Sequence, residues 1–150
     1  MRLRVAACAG LLMLGVTAES RAQAPEFDVI LMCQAGQELV GAVAGDMKRA
    51  VAAKVDVKPY ADNATAIANW MRQFPALFPP GSEKGHDTKA LPAIWSDRAG
   101  FEKAGANLVA AADKLSEVAK TGDKAAFAEQ FEAMGKACGA CHRNYRARSE

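Results

Sequence analysis

Apolar residues near the end of the chain recur at alternating steps of four and three, the spacing of one face of an α-helix. The members of this face are Phe127, Phe131, Met134, Cys138, Cys141 and Tyr145. Asp123, which follows a glycine, is well placed to cap the start of the helix. The pattern therefore predicts a helix from about residue 123 to the C-terminal end of the chain.

Three earlier segments show the same helical period. The first runs from about 25 to 54, and its face carries Ile30, Cys33, Gln37, Val40, Ala44, Met47 and Val51. The second begins near Asp62 or Asn63, and its apolar residues are Ile67, Trp70, Met71 and Phe74.

The third segment can be capped by Ser96 or Asp97 and ends at Thr121-Gly122. Its face carries Phe101, Ala104, Leu108, Ala111 or Ala112, Leu115 and Val118. Four helices with no strand pattern predict an all-α fold, an antiparallel four-helix bundle.

The five residues Cys138-Gly139-Ala140-Cys141-His142 lie on the last helix, and Cys-x-x-Cys-His is the attachment signature of a c-type haem. Two thiols three residues apart on a helix project from nearly the same face. They can therefore form thioethers with the two vinyl groups of one porphyrin, and His142 can place an imidazole nitrogen on the iron.

Two other sites use a similar spacing. A zinc site needs four ligands, and the rest of the mature chain offers only Cys33 and His86, far away in sequence. A dithiol redox site belongs in a βαβ context, for which there is no strand pattern. We therefore predict one covalent haem c, with Cys138 and Cys141 as its thioethers and His142 as an axial iron ligand.

Residues 1–22 are typical of a secretory signal peptide, with Arg2 and Arg4 before an apolar stretch. Cleavage after residue 22 or 24 fits the rule of small residues at the cut. The expected location is the periplasm, and residues 23–150 are expected to form one domain. Cys8 leaves with the presequence, so Cys33 is either a buried small apolar residue or the source of an intermolecular disulfide.

The charge balance changes when the presequence leaves. The chain has 19 basic and 17 acidic residues, and removal of three arginines and one glutamate leaves 16 of each. The basic character of the full chain is therefore no indication of a nucleic-acid partner. No second long apolar run remains, so no membrane span is expected in the mature chain.

A long loop rich in proline and glycine, from Phe78 to Ala93, joins the second and third helices. The pair Pro79-Pro80 is expected to stop the second helix, because proline cannot donate a backbone hydrogen bond. Ile94 and Trp95 are expected to anchor the far end of the loop. Trp95 could contact the haem or simply close the end of the bundle.

Together these residues resemble the class II cytochromes c, which comprise cytochrome c′ and low-spin relatives of the cytochrome c-556 type. The resemblance covers the mature chain and rests on Leu77–Ser82, Pro92–Trp95 with Phe101, and the motif at Cys138–His142. It implies that Arg146 lies on the proximal side of the haem, although an ordinary arginine at a helix end would look the same. It also implies a possible homodimer through helices 1 and 2.

The resemblance further implies an arginine on the first helix near a haem propionate and, four residues later, a residue facing the open side of the iron. That residue is usually apolar in cytochromes c′ and is a ligating methionine in the low-spin relatives. The segment lengths put Cys33 and Gln37 at these two positions, and both depart from the family pattern. Burying an unpaired amide costs about 1–3 kcal/mol, so Gln37 should have a partner unless it reaches solvent at the haem edge.

The sixth iron position decides between functions. His86 lies in a polar loop, and Met32, Met47, Met71 and Met134 are expected to be core residues. We therefore expect electron transfer, with an accessible sixth site able to bind nitric oxide (NO) or carbon monoxide (CO), and periplasmic redox partners. The alternatives are a low-spin six-coordinate electron carrier of the cytochrome c-556 type and an NO-trapping protein. No constellation typical of an enzyme is evident.

Overall fold

The computed structural model describes residues 28–148 of the chain, so the predicted signal peptide and its cleavage site lie outside it. The helices are α1 Val29–Ala53, α2 Tyr60–Gln73, α3 Ala93–Ser96, α4 Arg98–Thr121 and α5 Lys124–Tyr145. Helices α1, α2, α4 and α5 form the predicted bundle, and α3 is a single turn before α4. Short links join α1 to α2 and α4 to α5, which makes each pair antiparallel. None of the described helices is both long and apolar enough to cross a membrane.

The helix caps follow the sequence signals closely. Asp123 Oδ1 accepts from the backbone N–H groups of Ala125 and Ala126, both at 3.0 Å, and so starts α5. Asp97 caps α4 in the same way, through Gly100 N at 3.2 Å. Gly122 ends α4 with a φ of 78°, a left-handed conformation that glycine adopts without strain. These satisfied ends fix where both long C-terminal helices begin and stop.

The second helix differs from its prediction at both ends. It begins at Tyr60, so Asp62 lies in its first turn and does not cap it. It ends at Gln73, because Pro75 has no N–H with which to continue the helical hydrogen bonds beyond Phe74. A 3-10 turn over Phe74–Leu77 continues the chain, so the pair Pro79-Pro80 follows a helix that has already ended.

The core is centred on α4, which packs most closely against α2 and α5, and the C-terminal half of α1 completes it. The largest fully buried side chains are Phe127, Met47, Leu115, Met134 and Val57. In the N-terminal half of α1 the predicted apolar face is only half-buried. There α1 and the other helices leave a cavity between them.

Both ends of the loop at residues 78–92 are fixed. At one end, Trp95 Nε1 donates to Pro79 O at 3.0 Å, and its ring meets that of Phe78 edge-on. Trp95 does not line the cavity, so it closes the end of the bundle. At the other end the loop is hydrogen-bonded to the end of α5 and the residues after it: Leu91 N donates to Tyr145 O at 3.0 Å and Ala147 N to Lys89 O at 2.8 Å.

Candidate haem-binding site

A cavity of about 570 Å³ opens between the N-terminal half of α1, α2, α5 and the loop that precedes α3. Its size is in the range of sites for small molecules and cofactors. Its lining is mainly apolar, with Phe74, Phe78, Phe101 and Leu108 at its base. All six residues singled out in the sequence line it, namely Cys33, Gln37, Cys138, Cys141, His142 and Arg146.

Helix α5 supplies two thiols to one wall of the cavity. Cys141 is buried and Cys138 is half-buried, one turn earlier on the same face. Burial raises the pKa of both thiols, and both cysteines are free. Two neutral, adjacent thiols on an apolar wall suit attachment to a porphyrin edge.

His142 lies at the rim of the cavity, directly after the second thiol. Partial burial lowers its pKa below the usual 6.5, and the nearby positive charge of Arg146 lowers it further. The imidazole is therefore neutral at neutral pH, which is the form that binds a metal. The end of α5 that carries it is fixed because the Tyr145 hydroxyl donates to Asp97 Oδ2 at 2.7 Å. That bond raises the pKa of Tyr145 to about 12.

Arg146 is the residue that ends α5. Its backbone is extended, with φ −126° and ψ 130°, and its N–H donates to His142 O at 3.1 Å. Its side chain is exposed and borders the cavity on the side of His142. This placement is consistent with both interpretations of Arg146, because the residue lies at a helix end and also next to the cavity wall that carries His142.

Helix α1 supplies the opposite wall, where Cys33 and Gln37 lie one turn apart. Burial raises the pKa of the Cys33 thiol to about 11, so this cysteine is a neutral thiol at physiological pH. Gln37 is half-buried, and its Nε2 lies 3.8 Å from the thioether sulfur of Met71, within reach of a weak hydrogen bond. The polar side chain in the apolar face therefore has a partner.

The sequence missed one wall residue. Met71 is 4 % exposed and is the sole methionine that lines the cavity among the described residues. Its sequence signal, one apolar position on a helical face, is the same for a core residue and for a cavity wall. Met47 and Met134 are core residues as predicted, whereas Met32 is 40 % exposed because it lies on the outer face of α1.

Residues 28–148 offer no zinc site, because they contain no group of three or more His, Cys, Asp or Glu side chains that could hold an ion. His86 is exposed in the loop, where its Nε2 pairs with Asp28 Oδ2 at 2.5 Å. It does not line the cavity. The donor set that remains, two adjacent thiols and a neutral imidazole beside an apolar cavity, fits a haem c.

The family model for cytochrome c′ matches residues 28–146. The chain belongs to the cytochrome c′ family. Like the rest of that family, it binds haem c and its iron. The cytochrome c′ of Rhodopseudomonas palustris is 34 % identical over 150 residues, 99 % of each chain. The cytochrome c-556 of Agrobacterium tumefaciens is 37 % identical over 109 residues, which are 69 % of this chain and 87 % of the relative.

The solved structures agree with the sequence comparison. The crystallised cytochrome c′ of Rhodopseudomonas palustris superposes with a TM-score of 0.76 at 31 % identity, covering 83 % of this chain and all of that one. A nitric oxide complex of a cytochrome c prime variant from Alcaligenes xylosoxidans gives a TM-score of 0.73 at 29 % identity, covering 81 % of this chain and 95 % of that one. The predicted four-helix bundle is confirmed.

Proposed function

We propose that Cys138 and Cys141 form the two thioether bonds to one haem c and that His142 is its axial iron ligand. The support is geometric and chemical. The two thiols share one face of α5 and line an apolar cavity, and the neighbouring imidazole has a lowered pKa that favours its neutral form. Cys33, on the opposite wall, is a free thiol that takes no part in attachment.

Substitution of single cysteines tests this assignment. The chain is expressed with the haem-attachment machinery of a bacterial periplasm, and the haem that survives acidic organic extraction is measured by mass spectrometry. Cys138→Ser and Cys141→Ser should each leave one vinyl group unreacted, which shifts the α band of the pyridine haemochrome to longer wavelength, whereas the control Cys33→Ser should keep both the full haem mass and the wild-type band. Loss of haem from Cys33→Ser with retention in both other variants would refute the assignment.

We further propose that the protein is an electron-transfer cytochrome whose sixth iron position is accessible to small gases. A haem c supplies a one-electron iron couple and, where an axial position is open, a binding site for NO or CO. The observation that carries the proposal is which cavity-lining residue of α1 occupies the position that the family resemblance assigns to the open side of the iron. It is Gln37, a weak ligand at best, whose amide is already paired with Met71.

Two related structures support gas binding. Structural neighbours from Alcaligenes xylosoxidans are described as nitric oxide and carbon monoxide complexes of cytochrome c prime variants. The low-spin alternative also has a specific observation in its favour, because Met71 brings a thioether to the cavity wall. The NO-trapping alternative shares the open site and differs only in its use in the cell.

The optical spectrum of the ferrous holoprotein with and without CO separates these functions. An accessible site predicts a large shift of the Soret band on addition of CO. A low-spin spectrum that CO leaves unchanged would establish the six-coordinate carrier instead. An NO-trapping role predicts that deletion of the gene sensitises cells to NO while electron flow is unaffected.

We propose that the mature protein works in the periplasm with soluble or membrane-associated redox partners, and that it forms a homodimer through α1 and α2. Leu39 is 69 % exposed and Leu31 is 49 % exposed on the outer face of α1, which supports such an interface. One structural neighbour is described as having a ligand-controlled dimer dissociation. Sedimentation of the holoprotein should show a dimer, and Leu39→Glu should convert it to a monomer.

A further inference from the structure

The side chains of Gln37 and Met71 meet across the junction of α1 and α2, at the wall of the cavity opposite α5. The amide Nε2 lies 3.8 Å from the thioether Sδ. Met71 is 4 % exposed, so its sulfur has little access to bulk water. For Gln37 the described residues offer no other side-chain hydrogen-bond partner.

The chemistry of the two groups gives this contact a direction. A thioether sulfur only accepts, whereas a primary amide has two N–H donors at one end and a carbonyl acceptor at the other. The contact is therefore favourable only with the NH₂ end of Gln37 turned to Met71. One N–H is used by the sulfur, and the other remains available to a group inside the cavity.

A neighbouring glutamine shows that this arrangement is specific to Gln37. Gln34, one turn earlier on α1, also borders the cavity, but its Nε2 donates to Asp87 O in the loop at 3.4 Å. Its amide is thus directed outward to the loop. The amide of Gln37 is directed inward to α2, where its partner is an apolar residue with a single weak acceptor.

We propose that Met71 is a positioning residue for the distal side of the haem. Its sulfur holds the Gln37 amide in one orientation, with the second N–H presented to a diatomic ligand on the open iron position. The proposal rests on the proposed function, since it requires that the sixth position be open to a gas. Gln37 and Met71 together then favour ligands that accept a hydrogen bond.

The test is infrared spectroscopy of the CO-bound ferrous holoprotein, with the rate of NO dissociation as a second readout. One oriented donor predicts a single narrow C–O stretching band. Gln37→Leu should move this band to higher frequency and speed NO dissociation about two- to tenfold, the factor for loss of one hydrogen bond. Met71→Leu keeps the volume of the side chain and removes the acceptor, so the band should split or broaden.

Two further variants make the result specific. Met47→Leu is a matched control, because Met47 is fully buried on α1 but does not line the cavity, and its spectrum should equal that of the wild type. The double variant Gln37→Leu/Met71→Leu should match Gln37→Leu alone, because Met71 acts through the amide. Thermal unfolding of each variant shows whether the fold is retained.

The possible failures are distinct. If Gln37→Leu moves the band and Met71→Leu leaves it identical to the wild type, the positioning role of Met71 is overturned and the proposed function stands. If wild type is low-spin and Met71→Leu makes it high-spin, Met71 is itself an iron ligand and the proposal is wrong. If no variant binds CO, the proposed function fails.

Discussion

Gly36 on α1 packs directly against the ring of Trp70 on α2, and substitution of Gly36 tests this packing. Gly36 is buried in α1, one residue before Gln37. A Cβ atom placed there would lie far inside contact distance of three indole carbons of Trp70, Cζ2, Cη2 and Cε2. Carbon atoms in favourable contact are about 3.5–4.0 Å apart, so either the ring or the helix must move.

The expected cost follows from two opposing terms. Overpacking of this kind costs about 1–3 kcal/mol. Replacement of glycine by alanine inside a helix stabilises the helix by about 1 kcal/mol. The ring of Trp70 has little freedom to yield, because its Nε1 is buried and the ring of Phe74 lies behind it with centroids 6.3 Å apart. Gly36→Ala should therefore lower the free energy of unfolding by up to about 2 kcal/mol.

Gly135 provides the matched control. It is an exposed residue inside α5, and a Cβ there would meet nothing within 4 Å. Gly135→Ala should raise stability by about 0.5–1 kcal/mol. Urea unfolding of the holoprotein gives both values, and an unchanged m-value shows that the shift in midpoint is a change in stability. The difference between the two variants isolates the overpacking term.

A double substitution completes the test. In Gly36→Ala/Trp70→Leu the shorter side chain at position 70 frees the space that the new methyl group needs. The double variant should thus be more stable than the sum of the single effects predicts, by at least 1 kcal/mol, a coupling of the size found for residues in contact. If both alanine variants stabilise the protein equally, the close approach of Gly36 to Trp70 is refuted.

Three other predictions concern a thiol, a helix cap and a hydrogen bond between two side chains. The pKa of the Cys33 thiol is raised to about 11 by burial, so alkylation by iodoacetamide should be slow at pH 8 and should accelerate towards pH 11. Because burial disfavours the thiolate only in the folded state, the free energy of unfolding should fall as the pH rises from the free-thiol pKa of 9.0 towards 11, an effect that Cys33→Ser removes. Asp123→Ala should cost about 1 kcal/mol in urea unfolding through loss of the α5 cap, whereas Asp123→Asn should cost almost nothing. Ser116 is 3 % exposed and its Oγ lies 2.9 Å from Thr65 Oγ1, so Ser116→Ala should lower the free energy of unfolding by about 1 kcal/mol. The double variant Ser116→Ala/Thr65→Val should lose less stability than the sum of the two single losses, and strictly additive losses would contradict the pairing.

The helices that the sequence predicted best are those whose ends carry unambiguous residues. Asp97, Gly122 and Asp123 set three helix ends because each satisfies backbone groups or permits a left-handed turn at one position only. The end of α2 was misplaced because two proline sites compete there. Pro75 ends the α-helix, and a 3-10 turn then delays the loop until Pro79.

The six side chains that the sequence singled out all line one cavity, because the thiol–thiol–imidazole motif and the segment lengths place them on facing helices. Met71 was recognised only as an apolar position. Helical periodicity assigns a side chain to the inner face, but it does not distinguish a packed core from a cavity wall. That distinction arises from the divergence of α1 from its neighbours, which depends on tertiary packing.

The spin state of the ferric iron tests the central claim most directly, because it reports whether the protein supplies a strong sixth ligand. We predict that electron paramagnetic resonance of the purified ferric holoprotein near neutral pH shows a predominantly high-spin signal, as expected for His142 as the one strong protein ligand. A predominantly low-spin signal that persists in Gln37→Leu would contradict the account. It would place a strong protein ligand, such as Met71, on the iron.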